Sequence, residues 1–333
     1  MKDHSEPEAQ ARAEITQDFW RHYPTVLHPI EIFEIQSTGL SGAIVWKAST
    51  KSGDIAVRMF GPQTRQTDIR NAHAFLSHAR QLGWVEVPQT FPANDGSMIV
   101  EHAGAFWDIC TWQPGEPAPL PISDDRLRSS INLIAHWHRF WKRENATPNS
   151  SAVQNAVQRR RAEWLRLADG ESFCGAKGDD LADRTLEAIE ARRRSLEELF
   201  EALPLLLANE RLVLTHGDLH REHILFTDDL PTGLIDLSGR WDYPAADLAR
   251  WLPSVAEPNR WSQAFEWYRE KAPLSANSER AIPMLDATGL AISALRWAEW
   301  LLGIEGRRRY FPRPDLAYRR WQEVVERLER LEL

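Results

Sequence analysis

Short apolar runs separated by turn residues fill the first third of the chain. Runs of this kind are typical of β-strands, and they predict strands at 30–36, 43–48, 54–60, 98–101 and 106–112. Between the third and fourth runs, apolar residues recur every three or four positions over 67–82, which predicts a helix that ends before Gly83. Because five strands and one helix form a unit of small-lobe size, we predict a strand-rich N-lobe over 1–115.

Helical spacing dominates the rest of the chain, after a proline-rich connection at 116–121. Ser123 is a candidate N-cap for the first helix, and further helices are predicted at 151–168, 179–203, 245–252, 258–271, 284–303 and 314–331. Three short apolar strands interrupt this half, at 212–215, 224–227 and 233–236. The pattern predicts a mainly helical C-lobe over 116–333 and places the chain in the α+β class.

Composition excludes several classes of protein. The 333 residues are 43% hydrophobic and include 15 Trp, which is enough apolar material for a core and excludes global disorder. The net charge of −8 argues against a nucleic-acid partner, and no apolar run approaches the roughly 20 residues of a membrane span. The two cysteines, Cys110 and Cys174, cannot form a disulfide framework in so long a chain. We therefore expect a cytoplasmic protein without a nucleic-acid or membrane partner.

The segment 214–226 holds the residues best suited to chemistry. Asp218 lies there in a polar loop between two predicted strands, and Asp236 follows at the end of a predicted hairpin. Phosphoryl transfer uses such a pair, because one carboxylate orients or deprotonates the attacking hydroxyl and another holds the metal that bridges the phosphates. Protein kinases place a metal-binding Asn five positions after the catalytic Asp, and here that position is His223.

The chain resembles the aminoglycoside phosphotransferase and choline kinase-like family, which has the protein-kinase fold. The resemblance rests on three segments in the order and at the spacing of the family: His216-Gly217-Asp218-Leu219-His220, Ile235-Asp236, and Trp241 to Ala249. It implies a two-lobed α+β fold in which the N-lobe covers the nucleotide and the C-lobe carries catalysis and substrate binding. The implied reaction moves the γ-phosphate of ATP or GTP to a hydroxyl of a small molecule.

The resemblance also implies roles for three residues of the reaction centre. Asp218 is the implied catalytic residue, which orients or deprotonates the acceptor hydroxyl, and Asp236 is implied to hold Mg²⁺ against the phosphates. His223 stands where the family has its second metal ligand. Since imidazole suits softer metals than Mg²⁺, the second ion is either weakly held or replaced by Mn²⁺, unless His223 only packs the loop.

Six residues are implied to bind the nucleotide. They are Gly39, Ser41 and Gly42 in a glycine turn, Arg58 in the place of the family's Lys, and Thr111 and Trp112 in the connection between the lobes. Arg58 keeps the positive charge and can grip a phosphate bidentately, although an exposed strand residue is the alternative. Asp68 is its candidate acidic partner.

Three further interpretations follow from the departures and the charge. A pseudokinase or nucleotide-binding interaction module is favoured by the changes at Arg58 and His223. A metal-dependent phosphoesterase would need more metal ligands downstream, but no histidine follows His223. The acidic balance would suit a cationic acceptor, and the arginine triplets, including 159–161, are predicted to be solvated, ion-paired faces.

Overall fold

The computed structural model describes residue 15 and residues 17–38, 43–61, 64–141, 150–168, 171–176, 178–303 and 314–332. Gly39, Ser41 and Gly42 lie outside the described residues, so their nucleotide-binding role stays a prediction. The described chain divides into two compact units. The first contains the described residues up to Gly115 together with Thr232–Ser238, and the second contains the remainder. The roles predicted for the two lobes stay predictions.

The first unit is built on a five-stranded sheet with a helix after its third strand. Its elements are α1 (Gln17–Trp20), β1 (Pro29–Thr38), β2 (Ile44–Thr50), β3 (Gly53–Met59), α2 (Gln66–Gln81), β4 (Val100–His102) and β5 (Ala105–Thr111). The strands are antiparallel in the order β1-β2-β3-β5-β4. All the strands and the helix that the pattern predicts are present, with ends displaced by no more than two residues.

Aromatic side chains form the core of the first unit. Trp46 and Trp107 stack with their ring centroids 5.4 Å apart, and Phe19 packs against Trp107 at 4.9 Å. All three side chains are almost completely buried. This core packs against the sheet and makes β3 and β5, the strands that carry Arg58 and Asp108, rigid.

The second unit is mainly helical. Its helices are α3 (Asp124–Phe140), α4 (Ser150–Ala168), α5 (Asp180–Glu190), α6 (Arg193–Leu207), α7 (Pro244–Val255), α8 (Trp261–Arg269), α9 (Ala276–Leu302) and α10 (Pro314–Glu329). One large apolar cluster joins α4, α5, α6, α9 and α10, and in it Trp164 stacks on Phe200 with centroids 5.1 Å apart. In the described part of the chain, every helix is too short or too polar to cross a membrane.

Two predicted helices differ most from the structure. The single helix predicted at 179–203 is two helices, because the backbone of Arg192 leaves the helical region (φ −123°, ψ 3°) between α5 and α6. The helix predicted to start at 284 starts at Ala276, where the Ser275 hydroxyl accepts the Ser278 N–H at 3.0 Å and caps it. Pro283 therefore lies inside α9 rather than before it.

Five short strands lie close in sequence to the polar segment 214–226 or pair with its strands. They are β6 (Glu116–Pro117), β7 (Val213–Thr215), β8 (Ile224–Thr227), β9 (Leu230–Leu234) and β10 (Arg240–Asp242). The pattern did not predict β6 and β10: β6 pairs with β8 inside the proline-rich connection, and β10 pairs with β7. The strand predicted at 233–236 ends at Leu234, so Asp236 follows the strand instead of ending it.

Candidate active site

The loop between β7 and β8, residues 216–223, carries the predicted catalytic residue. Gly217 has φ +87°, a left-handed conformation that a residue with a side chain adopts only at a cost. Leu219 is 1% exposed and anchors the middle of the loop, while Asp218 beside it is half-exposed. The loop closes with a 3-10 turn at Arg221–His223, where the His220 ring nitrogen Nδ1 accepts the Glu222 N–H at 3.4 Å.

Asp247, in the first turn of α7, holds the 216–223 loop in place by hydrogen bonds to its backbone. Its carboxylate accepts the backbone N–H of His216 at 2.7 Å and that of Gly217 at 3.2 Å. The same carboxylate meets His138 Nε2 at 3.0 Å, and the other ring nitrogen of His138 lies 2.8 Å from the Tyr268 hydroxyl. Burial opposes ionisation of Asp247, but the bonds from His138 and His216 outweigh it and lower its pKa. Asp247 therefore braces the loop through direct hydrogen bonds to its backbone.

Arg250, one turn further along α7, forms an ion pair with Asp218. The partial burial of Asp218 would raise its pKa, but Arg250 and then the histidines of the loop lower it to about 2. A carboxylate with so low a pKa is ionised at neutral pH and is a weak proton acceptor. Asp218 is therefore better suited to orient a hydroxyl than to remove its proton before attack.

Three histidine rings of the loop contact one another. The ring of His223 lies between those of His220, with centroids 3.7 Å apart, and His216, at 5.3 Å. His223 Nδ1 lies 2.6 Å from the backbone carbonyl of Asp218, so it donates and leaves Nε2 as the basic nitrogen. Burial and the neighbouring His223 lower the pKa of His220 to about 4, so this ring is neutral at pH 7.

Asp218, His220 and His223 could together hold a metal ion. Each offers a ligand atom, and these atoms lie within 4.8 Å of one another. Two imidazoles and one carboxylate are a donor set for Mn²⁺ or Zn²⁺ rather than for Mg²⁺. The carbonyl that fixes the His223 tautomer is the kind of outer partner that metal-binding histidines use.

Asp236 belongs to the first unit, where its backbone is left-handed with φ +57°. Residues other than Gly, Asn and Asp rarely adopt this conformation, and strained residues of this kind concentrate at functional sites. The Asp236 side chain is exposed. Burial would lower the pKa of the Arg58 guanidinium, but Asp108 above all, and Asp236 to a smaller extent, raise it. Its predicted metal-binding role stays a prediction.

Arg58, on β3, is not an exposed strand residue. It pairs across the sheet with Asp108 of β5, with Nε at 2.7 Å and Nη2 at 2.5 Å from the carboxylate oxygens. His73 of α2 adds a contact from Nε2 to the same carboxylate at 2.6 Å, and Asp108 is fully buried. Burial would raise the pKa of Asp108, but Arg58 and His73 lower it. Asp68 instead pairs with Arg65 one turn back on the surface, so its prediction as the Arg58 partner is wrong.

The predicted lobe connection follows β5. The Thr111 hydroxyl accepts the Gln89 N–H at 3.0 Å and a Gln113 amide N–H at 2.9 Å. The Trp112 N–H donates to the Asp54 carbonyl at 3.1 Å, and the Lys47 ammonium lies 5.4 Å from the centre of the Trp112 ring. These contacts order the segment, while its role toward the nucleotide base stays a prediction.

Sequence reasoning missed three residues that contact the predicted site residues. Asp108 and His73 surround Arg58, and Arg250 pairs with Asp218. One signal was available for Asp108, a single acid in an apolar strand, where an unpaired charge is very costly. For Arg250 the signal was its position three residues after Asp247, which places both residues on one face of a helix.

Known proteins match this chain by family and by fold. Residues 37–281 match the model of a family described as the phosphotransferase enzyme family. No curated protein sequence matches the chain.

Three solved structures with similar folds cover nearly the whole chain. Amicoumacin kinase hAmiN, in complex with AMP-PNP, Ca²⁺ and Ami, is 13% identical, with 97% of this chain and 98% of that chain covered and a TM-score of 0.59. The spectinomycin phosphotransferase APH(9)-Ia, in complex with ADP and spectinomycin, is 12% identical, with 95% and 97% covered and a TM-score of 0.59. Choline kinase from Cryptosporidium parvum Iowa II is 13% identical, with 98% and 96% covered and a TM-score of 0.55.

These likenesses confirm the predicted α+β, protein-kinase-like fold class. They also confirm the predicted resemblance to aminoglycoside phosphotransferases and choline kinase. Because the family model spans more than half of its residues, the chain belongs to the phosphotransferase enzyme family.

Proposed function

We propose that this protein transfers the γ-phosphoryl group of ATP or GTP to a hydroxyl of a small molecule. The observation that carries the proposal is the geometry around Asp218: an ionised carboxylate on a loop whose backbone is clamped by the buried Asp247. Such rigidity is what orientation of a nucleophile requires, because catalysis of phosphoryl transfer depends on positioning and charge stabilisation. A cytoplasmic location stays a prediction.

In the proposed step, the acceptor oxygen forms a bond to the γ-phosphorus while the bond from that phosphorus to the bridging oxygen of the nucleoside diphosphate breaks. Asp218 accepts a hydrogen bond from the acceptor hydroxyl and aims its oxygen at the phosphorus. The hydroxyl proton passes to the Asp218 carboxylate late, as the O–P bond forms and makes that proton acidic, because a carboxylate with a pKa of about 2 does not take it early, and Asp218 then releases the proton to water.

A divalent cation completes the proposal, with Asp236 and His223 each as a candidate ligand. When bound, the ion neutralises charge on the phosphates. Asp236 supplies a carboxylate, the ligand that Mg²⁺ prefers, whereas His223 presents an imidazole nitrogen that favours Mn²⁺. We therefore propose Mg²⁺ or Mn²⁺ as the cofactor, with Mn²⁺ the better fit at His223.

Nucleotide binding tests the proposal without knowledge of the acceptor. The unfolding midpoint of the full chain is measured with ATP or GTP, each with Mg²⁺ or Mn²⁺ and with EDTA. A nucleotide at about 100 times its Kd stabilises by about 2.7 kcal/mol, so a metal-dependent rise in midpoint is expected. No rise with any nucleotide and metal pair would overturn the proposal.

Asp236→Asn is the informative variant, and Asp228→Asn is its matched control. Both aspartates have left-handed backbones, with φ +57° and +54°, and Asn tolerates that conformation, so neither change adds backbone strain. We expect the metal-dependent rise to disappear in Asp236→Asn and to persist in Asp228→Asn. Loss of the rise in both variants, or in neither, would contradict the role of Asp236.

The second candidate is a pseudokinase, favoured by the pairing of Arg250 with Asp218 and of Arg58 with Asp108. Asp218 and Arg58, which the transfer reaction would use, are thus each engaged in an ion pair. Nucleotide binding that is accompanied by no transfer to any acceptor in a broad screen of hydroxyl compounds identifies this candidate.

A further inference from the structure

A fully buried acid lies among the apolar strands of the first unit. Asp108 on β5 stands directly opposite Arg58 on β3, between the buried residues Trp107 and Ile109. Its two carboxylate oxygens meet the Nε and Nη2 atoms of Arg58 at 2.7 and 2.5 Å. Because both groups are planar, this two-point contact fixes the plane of the guanidinium as well as its position.

Two further contacts restrict the pair. His73 of α2 is 5% exposed, and its Nε2 lies 2.6 Å from Oδ2 of Asp108. An ionised carboxylate can only accept a hydrogen bond, so Nε2 of His73 donates. The ring of Phe60 lies 5.4 Å from Cζ of Arg58. Strand register, helix α2 and an aromatic ring thus hold Arg58 in one orientation.

One end of the Arg58 guanidinium is left for another partner. Asp108 uses the N–H of Nε and one N–H of Nη2, and these are the hydrogen bonds that Arg58 makes within the described ranges. Both N–H groups of Nη1 therefore have no acceptor among the described residues. The side chain of Arg58 is 16% exposed, whereas that of Asp108 is 0% exposed. An anion that reaches the pair therefore meets Arg58.

The stability of the fold does not account for this arrangement. A buried ion pair can often be replaced by apolar side chains of similar volume without loss of stability, because both charges give up water when they are buried. The ring of His73 adds a second cost, since its buried Nδ1 has no hydrogen-bond partner in the described part of the chain. An arrangement that costs free energy and leaves a charged group accessible indicates a role in binding.

We infer that Asp108 and His73 are positioning residues for nucleotide binding: they hold Arg58 by one edge so that its Nη1 end donates to a phosphate oxygen. The inference rests on the proposed function, which takes a nucleotide as the phosphoryl donor. Asp108 neutralises Arg58, and Asp236 adds negative charge nearby, so the benefit is orientation rather than an excess of positive charge. An arginine that is ordered before the nucleotide arrives loses less conformational freedom on binding.

A double-mutant cycle tests whether Asp108 acts through Arg58. The affinity for the nucleotide and metal that stabilise wild type is measured by titration calorimetry for wild type, Asp108→Asn, Arg58→Met and the double variant. We expect binding to weaken by about ten- to a hundredfold in Arg58→Met, which loses a charged hydrogen bond, and by about two- to tenfold in Asp108→Asn, which loses the ordering. The double variant should bind as Arg58→Met does.

Two results of the cycle would overturn the inference. One is a double variant that binds more weakly than Arg58→Met by the full factor lost in Asp108→Asn, because the two residues would then act independently. The other is unchanged or tighter binding in Asp108→Asn, because Arg58 would then need no positioning.

Two controls separate positioning from a general loss of structure. The nucleoside of the same base has no phosphate, so its affinity should be the same in wild type and Asp108→Asn. Asp68→Asn removes the acid on α2 that pairs with Arg65 at the surface, and it should leave nucleotide binding unchanged. Equal losses for nucleoside and nucleotide, or a loss in Asp68→Asn as large as in Asp108→Asn, would also overturn the inference.

His73→Leu carries the test if Asp108→Asn does not fold. It removes the contact with Asp108 and the unpartnered Nδ1 but leaves the ion pair of Arg58, so we expect a folded protein that binds the nucleotide about two- to fivefold more weakly. His73→Gln keeps a donor N–H and should bind as wild type does. Unchanged binding in His73→Leu would overturn the role of His73.

The wild-type chain separates this inference from the proposed function. If wild type shows no metal-dependent rise in midpoint with any nucleotide, the proposed function fails and the inference fails with it. If wild type binds a nucleotide and the folded variants bind it equally well, the inference alone fails.

Discussion

Replacement of Asp247 by Asn tests how the 216–223 loop is held. The carboxylate of Asp247 accepts two backbone N–H groups, from His216 and Gly217, and contacts His138. Asn has the same shape but only one acceptor oxygen, and its amide nitrogen carries hydrogens. One of the two loop N–H groups would therefore face a donor and lose its partner.

The loss of stability in Asp247→Asn follows from the hydrogen bonds that the loop backbone makes to Asp247. A buried donor left without a partner costs about 1–3 kcal/mol, and the remaining bonds lose the additional strength that a charged acceptor provides. Because Asp247 is only 2% exposed, solvent water does not replace the lost partner. We expect the loop to be destabilised by about 2–4 kcal/mol, which corresponds to about 30-fold to several hundredfold more frequent local opening.

Hydrogen exchange measured by mass spectrometry reports on this opening. Peptides that contain His216 and Gly217 should exchange faster in Asp247→Asn by that factor, while peptides from the β-sheet of the first unit should not change. Asp68→Asn, which removes an exposed pair with Arg65, is the control and should change stability by no more than about 0.5–1 kcal/mol. Unchanged exchange of the loop, or equal acceleration over the whole chain, would refute the bracing role.

The difference in stability between wild type and Asp247→Asn should depend on pH, because the pKa of Asp247 is lowered in the folded protein. In the unfolded chain an Asp titrates near pH 3.9, so the stabilisation by the ionised side chain is fully present above about that value. It is lost as the pH falls through the lower folded-state pKa. Wild type and Asp247→Asn should therefore differ most in stability at neutral pH and converge below about pH 4. A difference that does not shrink in acid would show that the charge of Asp247 is not what stabilises the loop.

Two further predictions concern Arg58 and His223. Asp108→Asn should lower the free energy of unfolding, measured with urea, by about 3–5 kcal/mol, because it leaves the guanidinium of Arg58 without its buried partner. The double variant Arg58→Met/Asp108→Leu should recover much of this loss. An equal loss of stability in both variants would contradict the ion-pair explanation. His223→Asn should move the metal preference of nucleotide binding from Mn²⁺ toward Mg²⁺, measured as the ratio of the two midpoint shifts, since an amide oxygen replaces an imidazole nitrogen. An unchanged ratio would exclude His223 as a metal ligand.

The elements of secondary structure followed largely from the pattern, and the failures have local causes. β2 alternates buried and half-buried positions over seven residues, whereas β3 and β5 each contain a continuous buried run of three or four apolar-rich positions, and both patterns are typical of strands. The strands β6 and β10 are two and three residues long, too short to show any period, and they exist only because β8 and β7 offer partners. The break at Arg192 has no proline or glycine to announce it.

The local chemistry of the site can be predicted without a structure. The motif around Asp218, the acid at Asp236 and the supporting Asp247 each lie in a short contiguous segment, and a family pattern is recognised from such segments. Which charged side chains form pairs, in contrast, depends on how the chain folds. Asp108 lies 50 residues from Arg58, and Arg250 lies 32 residues from Asp218. Strand register and helix packing bring these pairs together, and neither is encoded in the spacing along one segment. The electrostatics of the candidate site thus arise from packing, because the field at Asp218 is the sum of groups that only folding brings close.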